Sequence, residues 1–109
     1  MPCEEAPRDL VVTIQDGLVD DDLWLGAAVI VEVAPHRRDS ENWPAIMVGA
    51  LVVAPDMPSG VPAVWATDHG GSRIMAVDPA AREYSTWDRS EKTRMPEAEE
   101  ARRCLPETE

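Results

Sequence analysis

The chain has 109 residues, 44% of them hydrophobic, and a formal net charge of −11 from 21 acidic and 10 basic residues. This length predicts a single domain with one small core, and the apolar fraction excludes a generally disordered chain. The negative charge repels phosphates and anionic lipids, so it argues against direct nucleic acid binding and against membrane association. We expect one domain over residues 1–109, with flexible ends at residues 1–9 and 105–109.

Valine-rich segments separated by turns favour strands in the first half of the chain, because β-branched side chains suit a pleated surface. Residues 10–14 predict a short strand. The Asp-Gly pair that follows predicts a turn into a return strand at residues 18–19. Residues 27–34 predict a longer strand that ends at Pro35.

Residues 45–54 form an almost unbroken apolar run, which predicts a strand that is covered on both faces or lies at the centre of a barrel. Gly49 inside this run predicts a bulge or a sharp bend. Residues 55–62 contain three prolines and one glycine, so they predict a connector without regular structure. Residues 64–67 predict the next strand.

The C-terminal half predicts two further strands and one helix. Residues 73–78 predict a strand, residues 79–82 a four-residue turn that begins with proline, and residues 83–87 an edge strand with alternating polarity. Residues 97–104 follow Pro96 and place acids first and arginines last, which matches the dipole of a short helix.

These elements predict a mainly β fold: a small antiparallel sheet of five or six strands, curled into a barrel or half-barrel, with a short C-terminal helix. A two-layer α+β arrangement is the alternative. Residues 64–87 also resemble one blade of a lyase-type β-propeller of the virginiamycin B lyase kind. The resemblance covers less than a quarter of the chain and implies consecutive antiparallel strands there.

The two cysteines, Cys3 and Cys104, stand near opposite ends of the chain. Two cysteines are too few for a disulfide scaffold, and neither has the sequence spacing of a zinc ligand. A bridge between the chain ends is compatible with the sequence, but two free thiols in a reducing cytoplasm are favoured. The start of the chain is acidic without an apolar run, so a cytoplasmic location is expected.

The acidic triplet Asp20, Asp21 and Asp22 predicts a solvated loop that could contact a basic partner. Its contiguous acids lack the ligand spacing of a calcium loop, so no metal site is predicted. Four tryptophans are expected to lie mostly in the core, but Trp43 and Trp87 adjoin polar segments. Because tryptophan is enriched at binding hot spots, one of these two is predicted to be an exposed anchor.

Asp68 and His69 form the one polar pair with catalytic potential, because a histidine beside a carboxylate can act as a general base. Sequence neighbours usually point apart, and no nucleophile or third ligand stands at a recognisable spacing. A solvated glycine-rich turn is therefore favoured over a site. The sequence has no nucleophile elbow, phosphate-binding loop or dinucleotide pattern, which predicts no cofactor and favours a protein that is not an enzyme.

Three classes of function compete. The first is a small acidic binding protein that engages a basic protein surface, such as an immunity protein that neutralises a toxin or a phage-encoded inhibitor whose acids imitate nucleic acid. The second is an assembly module that forms a homodimer through an edge strand and an exposed tryptophan. The third is a small enzyme or ligand-binding barrel that uses Asp68 and His69.

Overall fold

The computed structural model describes residues 3–38, 43–68, 73–89 and 96–105. The strands in these ranges form one six-stranded sheet. Its strands are β1 (Glu4–Glu5), β2 (Trp24–Glu32), β3 (Ile46–Ala54), β4 (Met57–Thr67), β5 (Ile74–Ala76) and β6 (Asp88–Arg89). The strands lie in the sheet in chain order. The first five pair antiparallel, and β6 pairs parallel with β5. The mainly β class with an antiparallel sheet is confirmed.

Short helices cover both faces of this sheet. They are α1 (Arg8–Gln15), α2 (Pro79–Tyr84), α3 (Pro96–Arg103) and a single 3₁₀ turn (Pro35–Arg37). The sheet is not closed into a barrel, so the barrel prediction is wrong in that respect. The physical reason is that the helices supply the apolar cover that curling would otherwise have to provide. The predicted C-terminal helix is confirmed as α3.

The first face of the sheet packs against α1 and α2. Ile14 of α1 and Ala81 of α2 lie in one buried cluster with Val48, Ala50 and Val52 of β3. The three β3 residues alternate along the strand and therefore point to the same side. Other buried members of this cluster are Leu25, Ala63, Trp65, Ile74 and Ala76.

The second face packs against α3. Ala98 and Ala101 lie in a cluster with Met47 of β3 and Val64 of β4. The remaining buried members are Val31, Val33, Trp43, Ala66 and Val77. The apolar run at residues 45–54 is thus a strand covered on both faces, one of the two arrangements that its composition predicts.

Gly49 lies where α3 meets β3, and this close approach explains the glycine. Gly49 pairs in register with Val29 and Val64, so the predicted bulge at this position is wrong. A Cβ atom built on Gly49 would lie 2.6 Å from the Ala101 carbonyl oxygen and 2.9 Å from its carbonyl carbon. The glycine lets the helix backbone rest directly on the sheet.

We expect Gly49→Ala to lower the free energy of unfolding by about 1–3 kcal/mol, the usual range for an overpacked interior. The added methyl meets backbone atoms, so α3 must move away from the sheet. Gly26→Ala is the matched control, because its Cβ would approach the Val53 side chain at 3.2 Å and would reach Leu51 only at an ordinary contact distance of 3.8 Å. Urea unfolding of both variants checks this, and equal losses would contradict it.

Residues 10–14 are helical, not a strand, and belong to α1. Their apolar side chains follow helical spacing: Leu10, Val11 and Ile14 pack on the first face, whereas Val12 is exposed. This spacing outweighed the β propensity of the valines. The return strand predicted at residues 18–19 is also absent. The strand pairing of Leu18 is limited to an isolated bridge with Ser85.

The proline-rich segment at residues 55–62 was predicted to be irregular, but most of it belongs to β4. Pro62 pairs with Leu51 of β3. β5 pairs only with residues 65–67 of β4, so the other half of β4 lies at an edge. On the side of β4 that faces away from β3, no strand pairs with this half, so a proline here costs no hydrogen bond on that side.

The predicted turn at residues 79–82 and the predicted edge strand at residues 83–87 are both wrong, because residues 79–84 form α2. Asp78 caps this helix: its carboxylate accepts a hydrogen bond from the Ala81 N–H at 2.9 Å. The likeness of residues 64–87 to a propeller blade therefore ends after the antiparallel pairing of β4 with β5.

Cys3 and Cys104 are joined in a disulfide with a Cα–Cα distance of 6.5 Å, so the expectation of two free thiols is wrong. The bridge ties the segment before β1 to the end of α3. Residues 4–9, which were predicted to lie in a flexible end, carry β1 and the first residues of α1. Within the described ranges, every helix is too short or too polar to cross a membrane.

Candidate functional site: an acidic groove

Three segments that are distant in the sequence meet at one end of the sheet and form a groove of about 540 Å³. They are the loop before β2, the tight turn between β3 and β4, and the C-terminal end of α2. We call this feature the acidic groove. Its lining residues are Val19, Asp20, Asp22, Leu23, Ala54, Pro55, Asp56, Glu83 and Tyr84.

Four of the described lining residues carry carboxylates and none carries a base. Asp20 and Asp22 come from the predicted acidic triplet, whereas Asp56 and Glu83 were not predicted. All four are exposed. Asp21 is exposed as well but does not line the groove. The structure therefore brings two of the three predicted acids together with two acids from other segments.

Local hydrogen bonds fix the shape of the acidic loop. The Asp20 carboxylate accepts a hydrogen bond from the Asp22 N–H at 3.0 Å, and the Asp20 carbonyl oxygen accepts one from the Leu23 N–H at 3.1 Å. The Val19 N–H donates to the Tyr84 carbonyl oxygen at 3.0 Å. This bond joins the loop to the end of α2, so both walls of the groove hold each other in place.

Trp87 is half-buried and packs against the end of α1. Its indole N–H donates to the Ile14 carbonyl oxygen at 3.1 Å. Its ring occupies the space where a Cβ at Gly17 would lie. The Thr86 N–H also donates to the Gly17 carbonyl oxygen, at 2.7 Å. These contacts place Trp87 against the end of α1 and Gly17, three residues before Asp20.

Trp43 does not fit the prediction of an exposed anchor. It is only 5% exposed and belongs to the second-face cluster, and the Arg73 guanidinium lies 4.2 Å from its ring centroid. The exposed tryptophan is Trp24, at 42%, which follows Leu23 of the acidic groove. Trp24 and Leu25 are successive residues of β2 and point to opposite faces, so one is exposed and the other is buried. The sequence alone does not show which of the two faces is covered.

The predicted pair of Asp68 and His69 falls only partly within the described residues. His69 lies outside them, so its relation to Asp68 stays a prediction. The Asp68 backbone closes the strand end: its N–H donates to the Arg73 carbonyl oxygen at 3.4 Å, and its carbonyl oxygen accepts from the Thr67 hydroxyl at 3.1 Å. The Asp68 backbone therefore contributes to the end of the β4–β5 pair.

Among the acids in the described part of the chain, only Glu97 is completely buried, and its partners are structural. Its carboxylate accepts hydrogen bonds from the Ala34 N–H at 2.9 Å and from Arg37 Nε at 2.8 Å. Burial raises the pKa of Glu97, but these hydrogen bonds and the charge of Arg37 outweigh burial and bring the pKa below its ordinary value. The pair locks the start of α3 onto the turn after β2.

A second ion pair holds the other end of α3. Arg102 donates to the Asp78 carboxylate at 2.5 Å. Asp78 is buried and also accepts from the Val64 N–H at 3.2 Å, in addition to capping α2. One carboxylate therefore joins β4, α2 and α3, which is a structural role.

No protein-family model, curated protein or solved structure matches the chain. The acidic groove is the feature that combines exposed charge, apolar lining and a fixed backbone. It contains acceptors and apolar surface but, among its described lining residues, neither a histidine nor a cysteine. Such a lining suits the binding of a cationic group with an aliphatic stem, as lysine and arginine side chains have.

Proposed function

We propose that this protein is a non-enzymatic binding protein whose acidic groove engages a basic surface of another protein. The observation that carries the proposal is the convergence of Asp20, Asp22, Asp56 and Glu83 around apolar side chains. The carboxylates attract lysine or arginine, and Val19 and Leu23 offer apolar contact to the stems of those side chains. An inhibitor or an immunity-type protein, including a nucleic acid mimic encoded by a phage, has this recognition chemistry.

The net charge adds long-range attraction to these contacts. A chain at −11 steers a cationic partner toward it, and the effect weakens as salt screens the charges. The hydrogen bonds that fix the loop mean that little backbone freedom is lost on binding. Both effects support recognition of a partner by a preformed acidic surface.

Self-association is the second candidate, and Trp24 is the observation that favours it, because a tryptophan exposed to this extent is a typical interface residue. The edge formed by β1 and the start of β2 argues against strand-to-strand dimerisation there. β1 consists of two acidic residues, and the Gln15 side chain accepts the Leu25 N–H of β2 at 3.2 Å. Charged and capped edges discourage the addition of a strand.

The proposal is tested with the double variant Asp22→Asn/Asp56→Asn and an octa-arginine peptide as the probe. We expect the variant to bind the peptide about three- to tenfold more weakly, since each exposed charge pair contributes up to about 1 kcal/mol. The control Asp9→Asn/Glu99→Gln removes two exposed acids away from the groove and reaches the same net charge. Titration calorimetry at about 50 mM and about 200 mM salt measures both variants.

The position of the peptide is read from amide chemical shifts in the wild-type protein. Shifts centred on residues 19–23, 54–56 and 83–84 support the groove. Equal weakening in the test and control variants, or shifts spread over the whole acidic surface, would mean that net charge alone attracts the peptide. Either result would remove the groove from the proposal.

A further inference from the structure

The disulfide region holds a third potential ligand. The Cys3 and Cys104 sulfurs and a carboxylate oxygen of Glu100 lie within 4.8 Å of one another. Cys104 Sγ is 3.8 Å from Glu100 Oε1, and Cys3 Sγ is 3.8 Å from the Glu100 carbonyl oxygen. Glu100 and Cys104 are four residues apart at the end of α3, which places them on one side of the helix.

Contacts other than the disulfide hold these residues together. The buried carboxylate of Glu97 fixes the start of α3, and Arg102 fixes its last turn through Asp78. On the opposite side, Glu4 pairs with Ile30 in the sheet, which fixes the residue next to Cys3. Loss of the S–S bond therefore leaves both sulfurs beside Glu100.

We propose that the reduced form of this cluster is a binding site for a zinc-class divalent cation, with Cys3, Cys104 and Glu100 as its ligands. Two electrons from a dithiol convert the disulfide into two thiols, while the dithiol closes its own disulfide. The cation then binds both sulfurs as thiolates and releases two protons. Thiolate ligands select zinc and similar soft or borderline ions over magnesium or calcium.

The cluster has the dimensions of such a site. Tetrahedral zinc, with bonds of about 2.3 Å to sulfur and about 2.1 Å to oxygen, places two sulfurs about 3.8 Å apart and a sulfur and an oxygen about 3.6 Å apart. After reduction the sulfurs need only separate to the first of these distances. Three protein ligands leave the fourth position for water. Arg103 approaches Glu100 at 3.5 Å, but its side chain is mostly exposed and can turn away.

The site would alternate with the disulfide. The two thiols either form the bridge or hold the metal, so oxidation expels the cation and reduction restores the site. A reducing environment would keep the thiols reduced and favour the metal-bound form. The sequence alone hides the site, since Cys3 stands 97 positions before Glu100.

Cobalt(II) is the probe. Full-length protein is reduced with a phosphine, desalted without oxygen and titrated with Co²⁺, with far-UV circular dichroism as the check of folding. We expect one Co²⁺ per chain, with thiolate-to-cobalt charge transfer in the near ultraviolet and the visible bands of four-coordinate cobalt. Added Zn²⁺ should remove both signals. The disulfide form should bind no Co²⁺ with these bands.

Two variants on the same helix separate ligand from surface acid. Glu100→Gln should weaken Co²⁺ binding at least about tenfold, the loss that even an altered outer-shell partner can bring. Glu99→Gln, which is exposed and outside the cluster, should bind Co²⁺ as the wild type does. Alkylation tests the site without any substitution. In the reduced wild type, Zn²⁺ should slow the reaction of both thiols with iodoacetamide.

Three results would each overturn the proposal. One Co²⁺ per two chains would mean a site shared between molecules. Unchanged affinity in Glu100→Gln would remove the carboxylate from the ligand set. Equal alkylation rates with and without Zn²⁺ would show that the thiols hold no metal.

Discussion

Reduction of the Cys3–Cys104 bridge is expected to lower the free energy of unfolding by about 4 kcal/mol. The bridge closes a loop with a sequence separation of 101 residues. Opening a loop of about 100 residues returns about 4.7 kcal/mol of conformational freedom to the unfolded chain in the chain-entropy view, and measured losses are often smaller. Urea unfolding with and without a phosphine reductant measures the difference.

The double variant Cys3→Ala/Cys104→Ala is the control for this prediction. It should unfold at the midpoint of the reduced wild type and should not respond to the reductant. A wild-type midpoint that the reductant leaves unchanged would show that the cysteines are not joined in the native protein. The same data set tests the metal site, because Zn²⁺ should raise the midpoint of the reduced wild type and leave the double variant unchanged.

A loss of this size is compatible with a folded reduced form. Small domains have free energies of unfolding of about 5–15 kcal/mol, so the reduced chain retains a margin if its other contacts persist. Those contacts are the Glu97 and Arg102 ion pairs and the packing of Ala101 on Gly49. They act on the native state, whereas the disulfide acts mainly on the unfolded chain.

The sequence predicts β2, β3 and α3, and only the second half of β4, because the signals of those segments are local. β3 is a continuous apolar run, and α3 starts at Pro96 with charges in the order that the helix dipole favours. α1 was missed because the β propensity of its valines was weighted above helical spacing. α2 was missed although Asp78 and Pro79 are a standard cap and first residue of a helix.

The candidate site could be predicted only in part, because topology creates it. Asp20 and Asp22 are visible in the sequence as an acidic run. Asp56 and Glu83 lie in a two-residue turn and at a helix end, and only the fold brings them to the same groove. Burial is also a property of the whole fold, which is why the exposed anchor was sought at Trp43 or Trp87 and not at Trp24.

We expect Glu97→Gln to lower the free energy of unfolding by about 2–3 kcal/mol at neutral pH. A glutamine oxygen in the place of Oε2 can still accept from the Ala34 N–H and from Arg37 Nε, but without the negative charge. Its NH2 group would take the place of Oε1, which accepts from Arg37 Nε at 3.0 Å in the wild type, so a donor would face a donor there. Hydrogen bonds to charged groups contribute about 1.5–3 kcal/mol. The loss stays below the range for an isolated buried charge because the Arg37 side chain is 33% exposed and can reach water.

The loss of unfolding free energy in Glu97→Gln should become smaller as the pH falls, because only the ionised carboxylate forms the ion pair with Arg37. The pKa of Glu97 in the folded protein lies below its ordinary value of 4.5, which the unfolded chain retains. The contribution of Glu97 is therefore complete above about pH 4.5 and is lost as the pH falls through the folded pKa. The gap in unfolding free energy between the wild type and Glu97→Gln should narrow from about pH 7 to about pH 3.

Glu99→Gln is the control for both parts of this prediction. Its side chain is exposed on the same helix, so its unfolding free energy should stay within about 0.5 kcal/mol of the wild type across the pH series. Urea unfolding at each pH gives the three curves. A gap between the wild type and Glu97→Gln that is equally wide at both ends of the series would mean that the ionised carboxylate contributes nothing. The loss in Glu97→Gln would then come from altered packing at the start of α3.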